Sequence, residues 1–276
     1  MHLPPSFSNA LQLGLQKRQQ QGSYLQLSPP AAEMRTVDFG SNDSLSIRTS
    51  GLVWGRFHNE LEQLQGFFIG AGGSRIMDGS NEHIVRLERI LADFHHAEEA
   101  LYFNSGYEAN VAIYSNFPQK GDAIIHDSEI HASIHDGIRS SRASIVKGFA
   151  HNDPGALGDA LEYVKQNCPG IVEGKQTVFI ALESFYSMGG DMAPIREILC
   201  RVKRALPAGN AVLIVDEAHS TGLIGPHGSG YINHLGLEKE CIIQMQSYGK
   251  AAGALGGKYT HACVKLGLHF GVDHQD

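Results

Sequence analysis

At 276 residues the chain can hold one large α/β domain or two small ones. A chain of this size buries roughly three quarters of its unfolded surface, so it needs no disulfide or metal staple. A net charge of −7, with no dense basic tract, argues against nucleic acid as the main partner; no apolar run approaches the ~20 residues that span a bilayer.

The cysteines, Cys168, Cys200, Cys241 and Cys263, form no CxxC pair and no zinc-like spacing with histidine. They read as reduced, mostly buried thiols of a cytoplasmic protein. The first residues contain prolines and no apolar stretch of the signal-peptide kind. His95-His96 ends a helical pattern and reads as surface rather than as a metal ligand.

In chain order, Ser8–Leu27 reads as a helix with leucines at 11, 13 and 15, stopped by Ser28-Pro29-Pro30. Val37-Asp38-Phe39 is a short strand candidate, and Ser41–Ser46 is turn-forming. Phe57–Phe68 has helical spacing, broken by the cluster Gly70-Ala71-Gly72-Gly73-Ser74-Arg75. That cluster lets backbone approach a ligand or another chain. It is neither a dinucleotide fingerprint nor a Walker loop. Asn81–His95 predicts a helix with Ile84, Leu87, Ile90, Leu91 and Phe94 on one face.

Ala100–Phe103 predicts a strand, and Ser105-Gly106-Tyr107 opens a helix to about Asn116. The free amides of such a helix start can hold a phosphate, although every strand–helix junction offers them. Strands are predicted at Ala123–His126, Ser144–Phe149, Thr177–Leu182, Ala211–Val215 and Cys241–Met245. Helices are predicted at Asp153–Gln166 and Ile195–Ala205. The rhythm predicts a mostly parallel α/β sheet flanked by helices. Ser105, His131, Ser187, Asp216, His219 and Lys250 all fall after strands, where ligands of open α/β sheets sit. His131 reads as a cap, a surface group or a flat ring lying on a ligand.

Lys250 stands between an apolar strand and a Gly/Ala loop, with room on every side. Such a lysine can carry a carbonyl compound as a Schiff base, though most lysines are plain surface charges. Asp216 directly follows a buried apolar strand and needs a facing cation. A protonated pyridine nitrogen is such a cation. An imine-forming lysine, that aspartate and a phosphate-holding helix start are together what pyridoxal 5′-phosphate requires.

With these features in one order, the chain resembles the α-oxoamine synthase family of fold-type I pyridoxal-phosphate enzymes. The motifs are SNDSLS, GAGGSR, FNSGYEAN, HDSEIHASIHDGIR, ESFYSMGGDMAPI, VDEAHSTGLIG and SYGKAAG, spread from about Leu11 to Gly257. The resemblance implies Lys250 as the Schiff-base lysine, Asp216 on the pyridine nitrogen and His219 on the ring's phenolic oxygen. It implies His131 stacked on the ring and Ser187 at the phenolic oxygen or the substrate. Gly106 and Tyr107 amides and Ser247 would hold the phosphate, and Asn42 would lie near the substrate carboxylate. The Gly72–Arg75 run would lie near the interface of a homodimer. The implied reaction joins an amino acid to an acyl-CoA thioester, with loss of carbon dioxide, to give an α-aminoketone. The biotin-pathway branch, with alanine and a pimeloyl thioester, suits the chain best; a secondary-metabolite relative stands beside it.

The expected organisation is an N-terminal helix and arm over 1–36, a cofactor-binding large domain over 37–257 and a tail over 258–276. That tail, KYTHACVKLGLHFGVDHQD, does not resemble the family's continuation, and the family's small C-terminal domain is missing. The expectation is that the chain is truncated, binds the cofactor poorly and turns over little. Two competing readings are an aminotransferase of the same fold and a non-catalytic fragment that pairs with a complete relative.

Overall fold

The computed structural model describes residues 4–26, 37–64, 66, 70–240 and 242–261. The chain divides into two units, Met1–Ser41 and Asn42–Asp276. The first contains α1 (Pro5–Gln20), with Pro5 in the first turn and Lys17 and Arg18 in the last, where the helix dipole favours cations. Leu11, Leu13 and Leu15 are exposed. The expected strand at Val37–Phe39 does not form; Asp38 instead accepts the Gly40 and Ser41 amides, which closes a turn.

The second unit opens with α2 (Ile47–Ser50), α3 (Trp54–Gln63) and α4 (Glu82–Phe94). The Asn81 side chain caps α4 by accepting the Ile84 amide. The expected apolar stripe of α4 is only partly covered: Ile84 and Leu91 are half-buried, Leu87, Ile90 and Phe94 are exposed, and Ala92 and His95 are buried. His95 is therefore an interior residue, not a surface one, with Nδ1 2.8 Å from the Ser229 carbonyl. The sheet edge asks for polar partners here. Glu88 accepts the Tyr102 amide at 2.8 Å and holds Arg75 through both guanidinium nitrogens.

The alternation then follows: β1 (Glu99–Phe103), α5 (Gly106–Asn116), β2 (Ala123–Asp127), α6 (Ala132–Arg139), β3 (Ile145–Phe149), α7 (Pro154–Asn167), α8 (Pro169–Val172), β4 (Val178–Glu183), α9 (Ile195–Ala205), β5 (Ala211–Asp216), α10 (Tyr231–Leu235), β6 (Ile242–Ser247) and β7 (Gly257–His261). Helix starts carry their sequence signals. Ser105 caps α5 through the Glu108 amide, and Asp153 caps α7 through the Gly155 and Ala156 amides.

Among the described residues the sheet has seven strands in the order β1-β7-β6-β5-β4-β2-β3. β7 runs antiparallel to both neighbours, and the other ladders are parallel. No strand is expected at Gly257–His261 from the residues alone, yet this segment completes the sheet between β1 and β6. Each central strand is apolar on both sides because helices cover both faces. Ile125, Ile180, Leu213 and Val215 pack with Leu157, Leu161, Ile198 and Val202 of α7 and α9. The intervening Ile124, Phe179, Ala181 and Ile214 pack with Ala109, Ile113 and Ile134 of α5 and α6.

That period of two decides where the charged strand ends point. Glu183 follows Ala181, and Asp216 follows Ile214, so both belong to the α5–α6 face. Their register is direct: Glu183 is opposite Asp216, and Asp216 is opposite Met245. Of the cysteines, Cys168 is buried and Cys200 exposed; Cys241 and Cys263 lie outside the described residues.

Two consequences are measurable. α6 meets α5 at Gly137, where an added Cβ would stand 2.9 Å from Tyr114 Cβ and 3.1 Å from the Asn110 carbonyl oxygen. Gly137→Val forces the helices apart and should lower stability by roughly 1–3 kcal/mol in denaturant unfolding. Lys258 on β7 is fully buried, and its Nζ donates to the Leu91 carbonyl at 2.9 Å. Burial pulls its pKa from 10.5 to about 6. It is thus charged when unfolded and neutral when folded between those values. The penalty is full at and below pH 6 and fades as pH rises toward 10.5. Lys258→Met should raise the unfolding midpoint, with the gain largest near pH 6 and shrinking as pH rises; a loss of stability at every pH would contradict it.

Candidate active site

The carboxyl ends of β4, β5 and β6 and the starts of α5 and α6 line a cavity of about 100 Å³. Its wall includes Gly106, Tyr107, His131, Asp216, Ser247 and Lys250, all singled out from the sequence. Asn110, Ser133 and Glu183 also line it.

Asp216 forms the floor and is 4% exposed. Its Oδ1 accepts the Ala218 amide at 2.9 Å, and its Oδ2 accepts from Asn110 Nδ2 at 2.8 Å. Burial raises its pKa, while these two donors and the Lys250 charge act against that rise. Glu183, beside it, is also pushed up, first by burial and then by the Asp216 charge. Among the described residues neither carboxylate takes part in an ion pair.

Lys250 lies in the loop after β6, and its Nζ is 2.7 Å from His219 Nε2. Burial lowers the Lys250 pKa, against the pull of Asp216 and Glu183. His219 is brought down to about 4, by burial first and then by the Lys250 charge. Each cation disfavours the other, so the pair holds at most one positive charge near neutrality.

His131 is the N-cap residue of α6. Its Nδ1 faces Ser133 twice, at 2.7 Å from the hydroxyl and 3.2 Å from the backbone amide. Its ring meets that of Tyr107 edge-on at 6.2 Å. The Tyr107 side chain is exposed and bonds to Asp136, which leaves its backbone amide as the group facing the site.

The β1–α5 turn is held by close approach. A Cβ on Gly106 would stand 3.1 Å from Ser247 Cβ and 3.2 Å from Met245 Sδ. A Cβ on Gly257 would stand 2.4 Å from the Gly106 nitrogen. Glycine is required at both places so that the first α5 amides can sit over the ends of β6 and β7. The amides of Gly106 and Tyr107 have no carbonyl beneath them within the helix.

Three expected residues are not part of the cavity wall: Ser187, Asn42 and His219, the last reaching the site through its contact with Lys250. Ser187 is exposed in the turn after β4. Tyr186 turns inward instead, 1% exposed, with its hydroxyl accepting the Glu183 amide and its ring against His151. Asn42 is exposed as well. Its segment does reach the lysine loop: a Cβ at Gly253 would stand 2.9 Å from Ile47 Cγ2.

Asn110, Ser133 and Glu183 are additions to the sequence reading. A signal existed for two of them. Asn110 is four residues after Gly106, on the same helical face, and Glu183 ends an apolar strand just as Asp216 does. Ser133 carries no signal apart from its nearness to His131.

The residues present fit pyridoxal 5′-phosphate. Two buried carboxylates without an ion-pair partner, and an unpartnered buried acceptor, Asn110 Oδ1, need a cationic donor. The open amides of α5 and the Ser247 hydroxyl suit a phosphate. Lys250 supplies the amine. Among the described residues no group of three or more His, Cys, Asp or Glu side chains could hold a metal ion, and no helix is long and apolar enough to cross a membrane.

Comparison with known proteins bears on this site. Residues 37–263 match the family model for aminotransferase class I and II. A protein named 8-amino-7-oxononanoate synthase from Emericella nidulans is 45% identical over 80% of this chain and 54% of its own length. An aminoacyl transferase of Byssochlamys spectabilis is 41% identical over 80% of this chain and 47% of its own. A serine palmitoyltransferase from S. paucimobilis, solved with bound pyridoxal phosphate and myriocin, superimposes with a TM-score of 0.72. It is 29% identical, and the match covers 96% of this chain and 67% of that one. The chain spans about half the length of the curated relatives it matches. It belongs to the class I and II aminotransferase family, in its α-oxoamine synthase branch, whose cofactor is pyridoxal 5′-phosphate.

Proposed function

We propose that this chain carries the cofactor-binding part of an enzyme that condenses an amino acid with an acyl-CoA thioester. The observation that carries the reading is the single cavity shared by Lys250 and Asp216, with open helix-start amides on its rim. When bound, pyridoxal phosphate supplies an electron sink for the electron pair left at the amino acid's Cα.

The chain's own residues divide the remaining work. Asp216 would hold the pyridine nitrogen and favour its protonated form. The Gly106 and Tyr107 amides and Ser247 would take the phosphate. His131 would cover one ring face, and His219 would restrain both the phenolic oxygen and Lys250. Lys250 Nζ, deprotonated more readily because it is buried, takes the Cα proton and later returns one. Ser187 and Asn42 take positions at the substrate in this reading. Over the whole reaction the new C–C bond joins Cα to the acyl carbon and the C–S bond breaks. CoA leaves as the thiol and the amino acid's carboxylate leaves as carbon dioxide.

The name of the Emericella nidulans relative supports alanine and a pimeloyl thioester as the first pair to try. A secondary-metabolite substrate is the next one to try. We read the large domain as 37–257, with β7 carrying its sheet on to His261, and the working form as a cytoplasmic homodimer. Exposed apolar side chains on α3 and α4, among them Trp54, Phe57, Ile90 and Phe94, support a covered surface there.

The test is CoA release. Given cofactor, alanine and pimeloyl-CoA, the small turnover expected of this chain should release CoA and carbon dioxide in equal amounts. An aminotransferase on this fold would release neither. Lys250→Ala should lower turnover by about 10²–10⁴-fold, the range of a lost general base, and should remove the visible absorbance of the cofactor-loaded protein. Asp216→Asn should keep the cofactor's phosphate contacts but lower turnover about 10²-fold or more, as loss of a preorganised charge does. Unchanged turnover in either variant would overturn the assignment.

A further inference from the structure

Beneath the cavity runs a chain of hydrogen bonds whose direction can be read. It starts at the α6 cap. The Ser133 backbone amide can only donate, and it points at His131 Nδ1 from 3.2 Å. Nδ1 is therefore an acceptor and carries no proton in the neutral ring. The Ser133 hydroxyl, 2.7 Å from the same nitrogen, must then donate to it as well. Having spent its one hydrogen, Ser133 Oγ can only accept from Asn110 Nδ2 at 3.0 Å. The second hydrogen of that amide nitrogen goes to Asp216 Oδ2 at 2.8 Å. Asp216 Oδ1 already accepts the Ala218 amide. Both oxygens of Asp216 are then acceptors, an arrangement that favours the ionised form.

We infer that Asn110 and Ser133 are positioning residues that form a one-way relay between His131 and Asp216. The relay fixes neutral His131 as the Nε2–H tautomer and favours Asp216 as a carboxylate. The reverse polarity, with a protonated Asp216 and an Nδ1–H histidine, is blocked by the Ser133 backbone amide. Asn110 is 1% exposed and Ser133 fully buried, so water does not compete for these bonds. His131 Nε2 bonds to no described residue, and His131 lines the cavity. It therefore presents a donor, not an acceptor, to whatever binds there. The use of that donor toward a substrate carboxylate or thioester carbonyl rests on the function proposed above; the tautomer itself does not.

The experiment is nitrogen NMR on the cofactor-free chain with ¹⁵N-labelled histidine, the His131 signals being assigned by their loss in His131→Gln. At a pH where the ring is neutral, His131 should show an unprotonated Nδ1 and a protonated Nε2. Asn110→Ala and Ser133→Ala should each move the tautomer ratio about fivefold toward Nδ1–H, the ratio one ordinary hydrogen bond controls. Ser133→Thr, which keeps the hydroxyl, should leave the ratio where it was. A wild-type ring found as Nδ1–H would overturn the inference even if both alanine variants failed to fold. So would an unchanged ratio in both alanine variants, which would leave the backbone amide as the sole determinant. None of these readouts depends on turnover, so a failed condensation assay and a failed relay are separate results.

Discussion

A carboxylate that the fold drives out of water governs this structure. Asp216 ends an apolar strand covered on both faces, and the strand's period of two turns it toward α5 rather than toward solvent. An isolated charge there is unfavourable by several kcal/mol. The fold answers with two fixed donors, the Ala218 amide and the Asn110 side chain, and, among the described residues, no ion-paired cation. Glu183, opposite it in the sheet, makes the same demand again. A cavity with two such groups, one lysine and open helix-start amides is incomplete until a ligand brings a positive donor at one end and an anion at the other.

Local structure and site share the same atoms. His131 caps α6 through Nδ1, and that cap orients the imidazole. Ser105 caps α5, and the amides left over in that first turn face the cavity. Gly106 and Gly257 bring the α5 start down onto the ends of β6 and β7, where Ser247 lies. Capping, close packing and ligand contacts are therefore not independent layers. A substitution that disturbs the meeting of α5 and α6 at Gly137 acts on the carbonyl of Asn110 and so on the neighbourhood of Asp216.

Much of this was legible in the residues. Strand and helix positions from Ala100 to Val215 follow from apolar runs, caps and turn residues, and the structure keeps them within one or two residues. Lys250, Asp216, His131 and Gly106 could be named because each follows a strand end. The failures have physical causes. Val37–Phe39 has strand-like residues, but a strand exists only through its ladder, which one sequence does not reveal. Lys258 and His95 are polar residues buried by long-range pairing, so residue type pointed the wrong way. Ser187 loses the inward position to Tyr186, whose ring and hydroxyl both find partners. Asn110 and Ser133 act through bonds that connect α5, α6 and β5, and that juxtaposition is invisible before the helices are packed.

Borohydride reduction of the protein loaded with pyridoxal phosphate, followed by peptide mass mapping, reads out which lysine carries the cofactor. Reduction fixes the cofactor to whichever lysine holds it. One modified peptide is expected, the one that contains Lys250, with loss of that label when Asp216 is replaced by alanine. Label spread over exposed lysines, or centred on any lysine outside this cavity, would contradict that expectation.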